Sequence, residues 1–226
     1  MFELMKHQHE YQYGMRTVMT DLLPADLCAN LQNRVKELST NGSVSLVDHS
    51  GKGTLSELDG GGEYLHHIFK GSDIRKYFPE LVGAYHALLP IVSAVTCTKT
   101  LLSPYPESDI NIKAYPAGGG TIGGHFDTNA ITVLVYLTTN TEAPLEIEIS
   151  RVHPSRPEGW VDYENIYAQA GSMLLMKGRD VWHCSKPTDK EEKTVAIFNY
   201  YVEGDTWRPE KFDAFVYEGA EVSEVA

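Results

Sequence analysis

The sequence predicts a mainly β domain, a sandwich or barrel of short strands with helices packed on its outside. Three observations carry that expectation. Apolar residues recur at helical spacing only before about residue 95. From about residue 109 the pattern changes to short β-branched and aromatic runs separated by polar turns. No repeat, low-complexity tract or Pro/Gly/Ser-rich linker divides the 226 residues, so one domain spanning 1–226 is expected.

The first helix is expected after Pro24. Leu27, Leu31, Val35 and Leu38 are spaced by four, four and three, with Asn30, Gln32, Asn33 and Lys36 between them. Proline falls in the first turn, where its missing N–H costs nothing. Residues 40–64 are rich in Gly, Ser and Asp and read as a loop or a short hairpin. A second helix is expected from Pro79 through Leu81, Tyr85, Leu88 and Val92, with Pro90 kinking or ending it. Together they form a helical N-terminal support over about 20–95.

The strands follow over about 109–202. Asn111–Tyr115 is short and alternating, and Ala130–Leu137 is apolar almost throughout, as a strand buried on both faces would be. Leu145–Ile149 alternates strictly, Ser172–Met176 follows a glycine, and Thr194–Val202 is the last strong run. The acidic tail, 218–226, is expected to fray.

Composition narrows the function classes. A chain that is 42% apolar and 10% aromatic is built for a filled core rather than for disorder. Its net charge of −12 argues against nucleic acid or an anionic membrane as partner. No stretch approaches the roughly 20 apolar residues of a membrane-crossing helix, and Glu3 interrupts the start where a signal peptide would be apolar. Cys28, Cys97 and Cys184 are too few and too scattered for a disulfide framework or a zinc ribbon. The expectation is a reduced, soluble, cytoplasmic protein of unspecified oligomeric state.

The sharpest chemical feature is His125-Phe-Asp127. Along a strand, side chains two apart share a face, so His125 and Asp127 can converge on one ion while Phe126 packs into the opposite layer. A third ligand has to come from the remaining histidines. His183 is favoured because it follows the strand-like run Gly171–Met176 and the polar turn Lys177–Asp180, and precedes the last strand. Two histidines and a carboxylate leave coordination positions open, as oxygen chemistry at non-haem iron requires. Lys193 and Tyr115 lie ten residues after His183 and ten before His125, each on a neighbouring strand. A cation and a phenol so placed can hold a dicarboxylate that chelates the metal through its other end. Cys184 should face away from such a site as a buried thiol. Gly60–Gly62 and Gly118–Gly120 lack the features of phosphate loops, and no serine occupies a nucleophile elbow.

Asn111-x3-Tyr115-x2-Gly118-x6-His125-x-Asp127, followed by Ile131–Leu137, Gly171–Met176, His183 and Lys193, resembles the iron(II)- and 2-oxoglutarate-dependent dioxygenases, most closely the prolyl-hydroxylase-like branch. The resemblance spans about residues 109–202 and implies a double-stranded β-helix, or jelly roll. It implies His125, Asp127 and His183 as iron ligands and Lys193, Tyr115 and Tyr136 as contacts of 2-oxoglutarate. It further implies Fe(II), 2-oxoglutarate and dioxygen as reactants, with ascorbate stimulatory. The chain departs from the family where Pro144–Ile149 replaces its usual glycine-led strand and where Arg151–Gln169, with Trp160, Tyr163 and Tyr167, forms a long insert.

The resulting expectation is a dioxygenase that oxidises an unactivated C–H bond of an amino acid or natural-product intermediate, by hydroxylation, desaturation or cyclisation. A protein side-chain hydroxylase and a non-catalytic jelly-roll or cupin-like metal-binding protein are the alternatives. Asn129 and Arg179 are candidate substrate contacts. Phe126, Trp182 and Phe198 are candidates for a dry shell around the iron, and one of His66 and His67 for reaching the pocket.

Overall fold

Twelve strands among the described residues form one continuous, curled, mostly antiparallel sheet, with helices against its outer side. The computed structural model describes residues 2–48, 64–149, 162–205 and 213. In chain order the elements are α1 (Phe2–Gly14), β1 (Arg16–Met19), α2 (Ala25–Thr40), β2 (Ser45–Asp48), β3 (Tyr64–Phe69), α3 (Gly71–Tyr77), α4 (Pro79–Thr96) and β4 (Thr100–Leu102). They continue with β5 (Ile110–Tyr115), β6 (Thr121–His125), β7 (Ile131–Tyr136), β8 (Asn140–Glu148), β9 (Tyr163–Ala168), β10 (Met173–Met176), β11 (His183–Ser185) and β12 (Lys193–Val202). The sheet runs β1-β10-β7-β12-β5-β3-β6-β11-β8-β9, with β2 paired to β3 and β4 to β12. It curls into a half-barrel, the jelly-roll arrangement that the sequence implies.

Alternation along the strands separates two apolar layers. Ile110, Ile112 and Ala114 of β5, Val133 and Val135 of β7, and Ala196, Phe198 and Tyr200 of β12 face the helices. They meet Leu31 and Val35 of α2 and Leu81, Tyr85, Leu88 and Val92 of α4. Each fully buried Val, Leu, Ile or Phe among them contributes about 1.5–3 kcal/mol. The opposite face of the same strands presents Tyr115, Leu134, Tyr136 and Val195, which pack with Ile122, Leu145, Ile147 and Ile166 from the second wall. Apolar side chains of the two walls thus meet between them, and the helices support the sheet from behind.

Several expectations change. Helical support begins not near residue 20 but at Phe2, because α1 lacks an apolar stripe: Tyr11 is its only buried residue. Helix α4 runs on through Pro90. The proline lies on the exposed side, and the apolar row through Leu81, Tyr85, Leu88, Val92 and Val95 stays buried and keeps the helix intact. The 40–64 region contributes β2, which pairs with β3. Part of the 151–169 insert is β9, an edge strand on β8. Trp160, Gly60–Gly62 and the 218–226 tail lie outside the described residues. No single described helix is long and apolar enough to cross a membrane.

Tyr85 ties α4 to the sheet. Its hydroxyl donates to the Asn199 carbonyl and accepts from the Ser103 N–H, each at 2.8 Å. Tyr200 answers with a 2.7 Å bond to the Tyr85 carbonyl. Tyr85→Phe should therefore cost about 1–3 kcal/mol, since two backbone groups lose a buried partner. Urea unfolding measures it, and wild-type stability in the variant would mean that water takes the hydroxyl's place.

Candidate active site

The site begins with a register. In the antiparallel pair of β11 and β6, His183 stands directly opposite His125, so both imidazoles project from the same face of the curled sheet. Their ring centroids are 4.4 Å apart. Each Nδ1 is bound to a backbone carbonyl two residues earlier, His125 to Gly123 at 2.7 Å and His183 to Val181 at 3.0 Å. A carbonyl only accepts, so each Nδ1 carries the proton and each Nε2 offers its lone pair.

Asp127 lies beyond the end of β6, not within the strand. Its Oδ1 is 3.6 Å from His125 Nε2 and 3.7 Å from His183 Nε2. The three ligand atoms fall within 4.8 Å of one another, among the described residues the one group of three such donors disposed to hold a metal ion. The Asp127 N–H donates to the Gly178 carbonyl at 3.0 Å, and Thr132 Oγ1 donates to Oδ2. Asn129 Nδ2 in turn donates 2.8 Å bonds to Thr132 Oγ1 and to the Ile131 carbonyl. The carboxylate is thus held with one oxygen toward the histidines and the other toward Thr132. Gly178 allows this approach, because a Cβ there would lie 2.3 Å from Thr132 Oγ1 and 2.7 Å from Asp127 Oδ2.

The electrostatics suit a cation. Burial opposes ionisation of Asp127, but His183 and His125 beside it more than offset that cost, and its carboxyl stays well below the usual range. Burial pushes the His183 imidazolium down to about 4 against the pull of Asp127, so at neutral pH the ring is neutral and able to ligate.

Beside this cluster runs a row of polar residues. Lys193 stands opposite Tyr115 in the β12–β5 register, and Val195 opposite Tyr136 in β12–β7. Lys193 is 3% exposed, so it is no solvated loop lysine. Its Nζ lies 5.1 Å over the Tyr115 ring and donates to the Ala143 carbonyl at 2.7 Å. Burial lowers its pKa to about 8. Burial raises the Tyr115 and Tyr136 phenols far above the ordinary value, so both stay protonated donors. The Tyr136 hydroxyl is buried without a hydrogen-bond partner among the described residues.

Other candidates take different places. Arg179 is paired with Asp205 and donates to the Thr128 carbonyl at 2.6 Å, bracing the loop after Asp127. Asn129 is buried in the bonds that support Thr132 rather than presented to a substrate. Phe126 is 38% exposed and not packed into an opposite layer, because it follows the strand's last residue. Phe198 belongs to the helix-facing core with Tyr85. Trp182 covers the back of β6, where a Cβ on Gly124 would come within 1.9 Å of its ring. His66 is buried with its ring 5.6 Å from that of Tyr115, while His67 is only partly buried. Cys184 faces away from His183 and contacts Glu146, and burial pushes its thiol up to about 11. Thr132 and Gly178 escaped the sequence reading. A single threonine in a β-branched strand and a glycine in a polar turn carry no distinguishing signal.

No family model and no curated protein matches the chain. Solved structures do. The α-ketoglutarate-dependent carbocyclase SnoK from nogalamycin biosynthesis superposes with a TM-score of 0.69 at 12% identity, over 96% of this chain and 90% of that one. The chain has the fold of the non-haem iron, 2-oxoglutarate-dependent oxygenases. The epimerase SnoN in complex with Fe3+, α-ketoglutarate and nogalamycin RO gives 0.68 at 12% identity, over 92% and 87% of the two chains. A Pseudomonas putida prolyl-4-hydroxylase gives 0.61 at 13%, over 87% and 98%.

Thr132→Val removes the donor to Asp127 and preserves shape. It should weaken divalent-metal affinity by about tenfold or more. Thr132→Ser should keep most of it. Competition against a chromogenic chelator measures both, and equal affinity in all three proteins would show that Thr132 does not orient the carboxylate.

Proposed function

We propose that the protein is an iron(II)- and 2-oxoglutarate-dependent dioxygenase that oxidises an unactivated C–H bond of a small molecule. The observation that carries this reading is the pairing of two features. Two Nε2 lone pairs and one carboxylate oxygen converge beside a buried lysine and two buried, protonated phenols. A structural metal site needs the first feature and not the second.

The donor set fits iron(II), which would be held by His125 Nε2, His183 Nε2 and Asp127 Oδ1, with the remaining positions open. The interior also fits a dicarboxylate. Lys193 spends one of its three donors on the Ala143 carbonyl, and Tyr136 has its hydroxyl unspent among the described residues. Lys193 and Tyr136 would take the distal carboxylate, and Tyr115 would bond the cosubstrate nearer the metal. The chemistry supplied by iron and 2-oxoglutarate is the reduction of dioxygen, coupled to decarboxylation of the cosubstrate to succinate and oxidation of one substrate C–H bond. The protein's residues bind, orient and exclude water. The backbone carbonyls at Gly123 and Val181 fix both imidazole tautomers, Thr132 fixes the carboxylate, and Leu134, Ile147 and Val195 keep the interior dry. The carboxylate at position 127 favours hydroxylation, desaturation or cyclisation over halogenation, which needs that coordination position for halide.

Anaerobic protein given iron(II) and 2-oxoglutarate should develop a visible charge-transfer band, and in air it should release succinate. Absence of both would sink the reading. Lys193→Met should weaken 2-oxoglutarate by about thirtyfold or more, as loss of a buried charge partner does, with metal affinity kept. The charged form of Lys193 is the binding form, so cosubstrate affinity should fall as pH rises through about 8. Affinity that is flat across that interval would remove Lys193 from the cosubstrate site.

A further inference from the structure

Beyond the residues proposed for metal and cosubstrate, the interior row of β5 carries two more polar residues. Asn111 and Lys113 precede Tyr115 at two-residue steps and so share its face. Asn111 stands opposite Ile197, and Lys113 opposite Val195 on one side and Ile68 on the other. Asn111 is 3% exposed, and its Oδ1 has no hydrogen-bond partner among the described residues. A buried acceptor without a donor is costly, and a ligand's N–H would remove that cost. Lys113 is half-buried. Lys113 and Lys193 are the lysines on the interior rows of β5 and β12.

We infer that Asn111 and Lys113 form the substrate subsite and that the substrate is a free α-amino acid, its carboxylate on Lys113 and its ammonium on Asn111 Oδ1. This rests on the dioxygenase reading. Same-face neighbours on a strand are about 7 Å apart, a gap that the four-carbon stem of lysine spans, so both groups can meet adjacent functions of one small ligand. A net charge of −12 repels anions at long range, which makes a cation inside the site necessary for a substrate carboxylate as much as for the cosubstrate. The neighbours Ile68, Val195 and Ile197 are apolar and offer the C–H bonds of a hydrocarbon side chain no competing polar partner.

The test uses the anaerobic complex with iron(II) and 2-oxoglutarate, titrated with each proteinogenic L-amino acid and with its carboxamide. The readouts are the charge-transfer band and, in air, succinate release above the basal rate. At least one amino acid should shift the band, and its carboxamide should bind at least about tenfold more weakly, since the site is built around a carboxylate. Lys113→Met should erase that preference, Lys113→Arg should restore part of it, and Asn111→Ala should weaken the amino acid. All three variants should keep wild-type affinity for 2-oxoglutarate and a wild-type melting temperature. If the band forms but no amino acid shifts it, the inference is overturned. The same holds if Lys113→Met retains the preference, or if it loses 2-oxoglutarate and so belongs to the cosubstrate site. A wild-type protein that forms no band overturns the dioxygenase reading first, and the subsite with it.

Discussion

Everything chemical in this molecule depends on one cross-strand pairing, His183 of β11 against His125 of β6. Because side chains alternate along a strand, a slip of one residue would turn an imidazole to the outer surface and leave Asp127 beside a single histidine. The register is secured from both sides. Cys184 and Ser185 pair with Glu146 and Leu145 on β8, and Ser185 pairs with Ile122 on β6. The Thr121 hydroxyl adds a 2.8 Å bond to the Ser185 carbonyl. Both Nδ1–carbonyl bonds then convert a strand register into ring orientations.

The same alternation divides labour between the two faces of β5, β7 and β12. One face gives apolar side chains to α2 and α4 and carries most of the favourable burial. The other holds Lys193, Tyr115, Tyr136 and Asn111, groups that burial disfavours. Lys193 reports the strain directly, since burial lowers its pKa to about 8. A sheet well supported from behind tolerates such residues in front, which is how a marginally stable fold carries a polar interior.

Much of this was legible in the sequence. The nearly all-apolar Ala130–Leu137 contains β7, the helix-spaced rows are the buried faces of α2 and α4, His125, Asp127 and His183 bring three ligand atoms together, and Lys193 stands opposite Tyr115. What escaped depends on tertiary partners. Helix α1 is held by contacts with α4 and β1 and leaves no amphipathic stripe to read. Proline at position 90 does not break α4, because the pull of the buried row outweighs one lost hydrogen bond on an exposed face. The place of Asp127 past the strand end, and its support by Thr132 of β7 and Gly178 of a turn, come from segments brought together only by folding. Arg179 looked available in sequence because Asp205 is 26 positions away.

That Asp127 sits on a loop while both histidines sit on strands has a mechanical consequence. An ion bound to all three would close a cross-link between the 126–130 segment and the rigid β6–β11 pair, adding to the hold of the Gly178 carbonyl, Thr132 and Arg179. Amide protons in 126–130 and 177–181 then become local gauges of metal loading, exchanging slowly when the clasp is shut and faster when it opens, while those of β7 and β12 stay indifferent to it.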